Sequence, residues 1–457
     1  MPQTILTAIF EVQPTSETVL RDRIENLRTQ GRARDQLRQR VPALHFMSLT
    51  VFRDDLYDPI FVLEANFDGR PGPFWRQLEA ALGEELRDML RCCRPPRDRR
   101  AKLFAAVTLP GSCAPVAPLL EAGTVMPVAR HQGNRGLDRN RILEEGRLFT
   151  DVQTCLDAGL ANAPSPSAIH HQLRAALLRD FDWLERPAPQ RISTGESVAD
   201  WARFLGLLVA LLVLAAATSI PGVLLGHRLS LHWWWTAVLA LISAAVILGS
   251  LALAWHRNEV RDPPQDAPVI DPDRLRAMEQ LEDRVARHEP IVQNHMISLV
   301  HIKPGVMRAV VARVALLFLG FHVRVTARSG YLKSMRTIHF AHWALVSNGS
   351  RLMFLSNYDG SWESYLDDFI EKAHDGLSAA WTHCIGFPPT RWLVRGGASH
   401  GGRFKQWARH SMRESQFWYS AYPGFSVNQI ERHARVADGL RKRVLTEEEA
   451  EEWARDL

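Results

Sequence analysis

Hydrophobic and polar positions alternate in the same way in two distant parts of this chain. Apolar residues recur with period two from Leu44 to Phe52 and from Ile60 to Phe67, on either side of the polar stretch "RDDLYDP". The pattern returns from His339 to Gly360 as "HFAHWALVSNGSRLMFLSNYDG", around "SNGS". Both stretches open with His-Phe and close with Asn-aromatic-Asp-Gly. Their difference in length falls in the hairpin loop, where insertions are tolerated. The pair therefore predicts an internal repeat of two-stranded units.

The pattern extends outward from each unit. Before the first unit, "TILTAIFEVQP" reads as a strand, and "SETVLRDRIENLRTQ" places Val19, Leu20, Ile24 and Leu27 at helical spacing. After it, Phe74, Leu78, Leu82, Leu86 and Leu90 form one stripe of a helix, and "KLFAAVTLP" reads as a closing strand. The second unit has the same order: "MISLVHIKP", a helix from Val306, the two strands, the helix "SWESYLDDFIEKAHDGLSAAW" and a closing strand in "TRWLVRG". A helix, strand and helix follow in "GRFKQWARHS", "QFWYSAY" and "SVNQIERHARVADGL", with a looser first-copy parallel in "PVAPLLEAG", "TVMPVAR" and "LDRNRILEEGRLF". The order βαββαβ is the ferredoxin-like unit. The expected fold class is α+β: tandem ferredoxin-like repeats whose sheets pack face to face as a pseudo-dimeric α+β barrel.

Two runs break the alternation altogether. Phe204–Leu225 and Trp233–Trp255 carry no charge, and each reaches the roughly 20 apolar residues a bilayer-crossing helix needs. A short turn, "GHRLSLH", predicts an inserted transmembrane hairpin, with Trp233, Trp234, Trp235 and Trp255 at the interfaces. Arginines flank its outer ends while the turn holds only Arg228. This places both termini and both repeats in the cytoplasm, on the inner membrane. The expected division is a first repeat with helical extension over 1–185, a linker over 186–200, the hairpin over 201–256, a linker and bridging helix over 257–290, the second repeat over 291–445 and an acidic tail over 446–457. Val306–Phe321 is nearly continuous in apolar residues, broken by Arg308 and Arg313. It fits an interfacial helix that admits a membrane-dissolved ligand and equally a helix buried against the first repeat.

Charge and cysteine content narrow the classes. A net charge of +5 from 55 basic and 50 interspersed acidic residues gives no electrostatic footprint for nucleic acid. Five cysteines without a CxxC or paired Cys/His spacing argue against disulfides and a zinc site. The start "MPQTILTAIFEVQP" has no secretory-signal pattern.

The repeated polar residues are the first candidates for chemistry. Strand alternation puts His339 with Ala341, Trp343 and Leu345, and Asn357 with Asp359; His45, Asn66 and Asp68 are their counterparts. A His beside an Asp in an apolar cavity is competent for proton transfer, and the His for ligating a metal or haem iron. Asp-Gly ahead of a helix is also a common turn and capping signal. Residues without a first-copy equivalent form a second set: Arg391 as an anion clamp, with Arg395 nearby, and Trp418, Tyr419 and Tyr422 as an aromatic surface for an aromatic or acyl ligand. Core packing accounts for these aromatics equally well.

The tandem plan resembles the dimeric α+β-barrel superfamily, which includes dye-decolourising peroxidases, chlorite dismutases and small monooxygenases. "IHFAHWALV", "FLSNYDGSWESYLDDFI" and "WYSAYPG" are similar to an uncharacterised family of bacterial membrane-anchored proteins, over most of Ile297–Leu440. The peroxidases carry a GxxDG motif, whereas this chain has Ala65-Asn66-Phe67-Asp68-Gly69 and Ser356-Asn357-Tyr358-Asp359-Gly360, without the first glycine. The resemblance implies a haem-using, peroxidase-like oxidoreductase acting on a lipophilic small molecule, with His339, Asn357 and Asp359 at its polar centre. The alternative is a non-catalytic membrane protein that binds a hydrophobic ligand or docks a partner enzyme, with homo-oligomerisation open.

Overall fold

The computed structural model describes residues 2–54, 56–262, 292–326, 336–413 and 415–457, with isolated positions between 272 and 279. The bridging helix expected in "LRAMEQLEDRVARHEP" falls almost wholly outside the described residues. The protein is a mixed α/β structure with antiparallel sheets and several long apolar helices.

The first half supplies strands β1 (Gln3–Glu11), β2 (Leu44–Phe52), β3 (Ile60–Asp68), β4 (Thr124–Val125) and β5 (Ala129–Gln132). The second supplies β6 (Gln293–His301), β7 (Ile338–Val346), β8 (Arg351–Asp359), the two-residue strands β9 (Thr390–Arg391) and β10 (Arg395–Gly396), β11 (Met412–Arg413) and β12 (Phe417–Ser420). Two five-stranded sheets result, in the orders β12-β2-β3-β1-β4 and β11-β6-β8-β7-β5. The halves thus exchange one edge strand each. β12 pairs with β2 through Trp418↔Ser48, and β5 pairs with β7 through His131↔Ala341. Gly133, just after β5, allows the exchanged strand to sit close, because a Cβ there would lie 2.0 Å from the carbonyl oxygen of Ile338.

Alternation along the strands divides the core. Phe61, Leu63, Ala65 and Phe67 of β3 join one apolar cluster, and Leu352, Phe354 and Tyr358 of β8 join another. The opposite faces, with Val62, Ile297, Ala344, Met353 and Leu355, meet in a third cluster between the sheets. Each fully buried aliphatic or aromatic side chain contributes about 1.5–3 kcal/mol.

Helices α1 (Glu17–Thr29), α2 (Arg32–Arg40), α3 (Pro71–Leu90), α4 (Ala101–Thr108) and α5 (Ala117–Ala122) belong to the first half. The expected strand in "KLFAAVTLP" is α4 instead. Its apolar run is too short to fix a period, its alanines favour helix, and Phe104 and Val107 point inward with helical spacing. "TRWLVRG" likewise forms only the ribbon β9–β10, away from both five-stranded sheets. Helices α6 (Arg139–Asp157) and α7 (Pro166–Leu177) follow.

The long apolar segment comprises α8 (Thr194–Ala217), α9 (Ile220–Arg228) and α10 (Trp233–Val260). A single helix over Phe204–Leu225 is not observed. The break follows Ala217, where the hydroxyls of Thr218 and Ser219 bond back to the carbonyls of Ala215 and Ala216. Gly222 lets α9 approach α10, and the Ser243 hydroxyl donates to the Thr218 carbonyl. Among the described residues, three helices have the length and composition to cross a membrane: Thr194–Arg228, read through the break, Trp233–Val260, and α11 (Val306–Thr326).

Helices α12 (Trp362–Trp381), α13 (Gly401–Ser411), α14 (Val427–Arg441) and α15 (Glu447–Ala454) complete the chain. The acidic tail is not merely solvated. Trp453 of α15 is buried against α14 and α7 in a satellite core, and its indole donates to the Val436 carbonyl at 3.1 Å.

Candidate functional site

The Asp of each Asp-Gly sequence is the last residue of a strand, β3 or β8, and each meets the His near the start of the neighbouring strand. His45 Nε2 lies 3.0 Å from Asp68 Oδ2, and His339 Nε2 lies 2.8 Å from Asp359 Oδ1. β-Bulges at Leu44/Phe46 and Ile338/Phe340 lift both histidines out of strict alternation, so His339 does not share a simple face with Ala341 and Trp343. Neither Asp caps the helix directly after it. Asp68 Oδ2 accepts the backbone N–H of Arg139 at 2.8 Å, and Asp359 Oδ2 accepts that of Val427 at 2.7 Å. These are the first residues of α6 and α14, the helices that follow the exchanged strands. Each His–Asp pair therefore ties the helix that follows an exchanged strand back to the sheet of its own half.

Phe46 and Phe340 sit between the two pairs, with ring centroids 5.7 Å apart. Phe46 lies 5.3 Å from His339, and Phe340 lies 5.4 Å from His45. His339 is buried, its Nε2 faces a carboxylate, and it lines none of the four principal cavities. A haem macrocycle needs an open face over its axial nitrogen, which this packing does not offer. The residues around His339 do not fit that group.

The unrepeated candidates separate. Trp418 points between the sheets, donates to Asn357 Oδ1 at 2.9 Å, and runs nearly parallel to His295 and to Phe46. Tyr419, one residue on, faces the opposite way into the first core beside Arg139 and Arg38, and burial raises its hydroxyl pKa. The Tyr422 hydroxyl lies 2.8 Å from His45 Nδ1, and burial pushes its pKa well above the ordinary tyrosine value. Arg391 is exposed and its guanidinium donates to the carbonyl of Thr390, away from the His339 group.

A polar cluster between the sheets lay outside the sequence expectations. Glu64 Oε2 is 2.9 Å from His295 Nε2, while Ser48 and Asn66 donate to its two oxygens. His295 Nδ1 is 2.6 Å from the Ser415 hydroxyl, and His342 Nε2 is 3.0 Å from that of Thr7. Burial alone would raise the pKa of Glu64, but the charge and hydrogen bond of His295, with His342 and Asn66, outweigh it and hold it at about 2. His342, buried, falls to about 4 and is neutral at pH 7. Repeat register sets Leu355 at the position of Glu64 and Ile5 at that of His295. This cluster is where the two sheets differ at matched positions, and comparing the two similar stretches of sequence position by position would have found it.

The apolar cavity of about 490 Å³ lies elsewhere, on the outer face of the second sheet. Its walls are α11 (Val314, Phe318, Leu319), α12 (Phe369, Ala373), Leu211 of α8, and the β9–β10 turn (Trp392, Leu393). Ionic contacts hold the membrane-type helices to these walls. Asp200 of α8 is buried and binds Arg135 at 2.5 Å and Arg324 of α11 at 2.8 Å. Glu259 of α10 accepts the backbone N–H groups of Trp392 and Leu393 at 2.7 and 2.8 Å. Both turn residues have left-handed φ, 54° and 68°. That conformation costs roughly 1 kcal/mol or more per non-glycine residue, which the carboxylate's charge-assisted bonds offset.

No protein-family model, curated protein or solved structure matches this chain.

Proposed function

We propose that this protein is a membrane-anchored binding protein for a lipophilic small molecule. The observation that carries this reading is the apolar cavity between α8, α11 and α12, beside helices of membrane-spanning length and composition. Exposed apolar residues on α8 and α11, including Val306, Val310 and Phe318, extend the same surface outward. In this reading α8–α10 form the membrane hairpin, and the two exchanged sheets form a tandem ferredoxin-like, pseudo-dimeric barrel on the cytoplasmic side. The shared bulges, the paired His–Asp contacts and the reciprocal β5 and β12 exchange support that tandem plan. The arginine-rich flanks support the orientation. The binding reading is favoured over a haem oxidoreductase because His339 is enclosed and engaged by Asp359.

The test is photolabelling of the full-length chain in nanodiscs with a dodecyl diazirine, read by peptide mass spectrometry. Adducts at Val314, Leu319 and Phe369 that disappear in Ala315→Trp are expected. Adducts confined to lipid-exposed positions such as Leu212 and Leu241 would overturn the reading.

A further inference from the structure

The cavity is not uniformly apolar. His131 of β5 and Trp343 of β7 both line it. Ala129 pairs with Trp343 and His131 with Ala341, so the His131 and Trp343 side chains are diagonal neighbours on one face of the sheet. His131 is 2% exposed, Trp343 is 3% exposed, and both His131 ring nitrogens and the Trp343 indole nitrogen have no hydrogen-bond partner among the described residues. Leaving such a buried group unmade costs about 1–3 kcal/mol, and native interiors rarely tolerate several together.

We infer, building on the lipophile-binding reading, that His131 and Trp343 form the polar floor of the cavity and recognise a carbonyl oxygen on the ligand. Neutral imidazole offers one donor and indole another, and a carbonyl oxygen has two lone pairs to accept both. An ammonium ligand could pair with the acceptor nitrogen of the imidazole but would leave the indole N–H, a donor only, without a partner. A carboxylate would find no cation among the described lining residues and would face Asp375. Phe318, Phe369 and Trp392 leave the remainder of the ligand in an aromatic and aliphatic surround. The ligand class is therefore a membrane-dissolved carbonyl compound, either a ring ketone such as a quinone or an acyl-chain ketone or ester.

At the pseudo-equivalent position of the first sheet, Tyr419 stands in place of His131 and is buried in the first core. The carbonyl site belongs to the outer face of the second sheet, to which the first half contributes His131.

The test is competition against dodecyl diazirine labelling by decyl-benzoquinone, dodecan-2-one and dodecane, in wild type and His131→Leu. The carbonyl probes are expected to compete about tenfold better than dodecane, the worth of about one hydrogen bond, and to lose that advantage in His131→Leu while dodecane is unaffected. Preference for decyl-benzoquinone identifies a ring ketone, and preference for dodecan-2-one an acyl compound. Equal competition by dodecane in wild type, or a preference retained in His131→Leu, would overturn the inference and leave lipophile binding intact. Absence of cavity labelling in wild type would instead sink the binding reading itself. Ligand-free thermal unfolding guards against misfolding: His131→Leu should be at least as stable as wild type, because it removes unpaired buried nitrogens. Destabilisation by this substitution would also count against the inference.

Discussion

The outer faces of the two sheets are built from related strands and end differently. On the first sheet, α1 lays Leu20, Ile24 and Leu27 into the core and turns a charged surface to solvent. On the second, α11 is apolar nearly all round, crosses β5 at Gly320, where a Cβ would come within 2.9 Å of the Val128 carbonyl, and leaves a cavity of about 490 Å³ beyond. A helix with two apolar sides can serve two partners, the sheet below and a membrane-type helix beside it. The contrast teaches that two sheets with the same pinning contacts, His–Asp and exchanged strand, can carry covering helices of different chemistry.

The comparison can be broken most severely at Asp200. Asp200→Ala leaves Arg135 and Arg324 without their buried carboxylate and is expected to cost about 3–5 kcal/mol, measured by thermal unfolding in detergent. On the first face Glu17→Ala, which removes a partly exposed pair with Arg21, should cost no more than about 1 kcal/mol. Similar losses for the two variants would mean that the second face does not depend on α8.

Acid should weaken the fold progressively. Burial lowers the pKa of His131 and of His342 to about 4, from an ordinary value of 6.5. The unfolded chain takes up protons there before the folded chain does, so their stability contribution is complete above about pH 6.5 and is lost as pH falls toward 4. Glu64, held at about 2, extends the loss from about pH 4.5 downward. Unfolding midpoints across this range should fall less in His342→Gln than in wild type.

The duplicated pins should behave alike. Asp68→Ala and Asp359→Ala each remove a carboxylate from a helix start and are expected to cost about 1–2 kcal/mol. A much larger loss of ligand binding in Asp359→Ala alone, at equal stability, would give that pair a role beyond pinning. The smallest effect is expected for Glu259→Gln, about 1 kcal/mol or less, because an amide oxygen still accepts one of the two turn N–H groups.

Much of this scaffold is written locally. The alternating strands around His45 and His339 and the charge-free runs of α8–α10 follow from patterns within single windows. The exchanged strands do not, because "ARHQ" and "FWYS" are only four residues long and their partners lie some two hundred residues or more away in sequence. His339 and Asp359 were legible as a pair because two similar stretches of sequence carry the same His and Asp. Glu64, His295 and His342 come from three strands and become visible only when the copies are compared and Leu355 and Ile5 stand in two of their places. His131 was hidden in a short polar stretch. Its significance comes from α11, whose unusual apolar surface was legible, and from the space left between them. Arg391, by contrast, had the right chemistry for an anion but lies on the exposed side of the ribbon.

The central claim is that the second face holds a lipophilic molecule, and native mass spectrometry of the full-length protein released from nanodiscs made with its host-cell lipids tests it most directly. The account predicts a one-to-one adduct of a lipophilic compound on the wild type that is absent from Ala315→Trp. A wild type without an adduct, or the same adduct on both proteins, would contradict it.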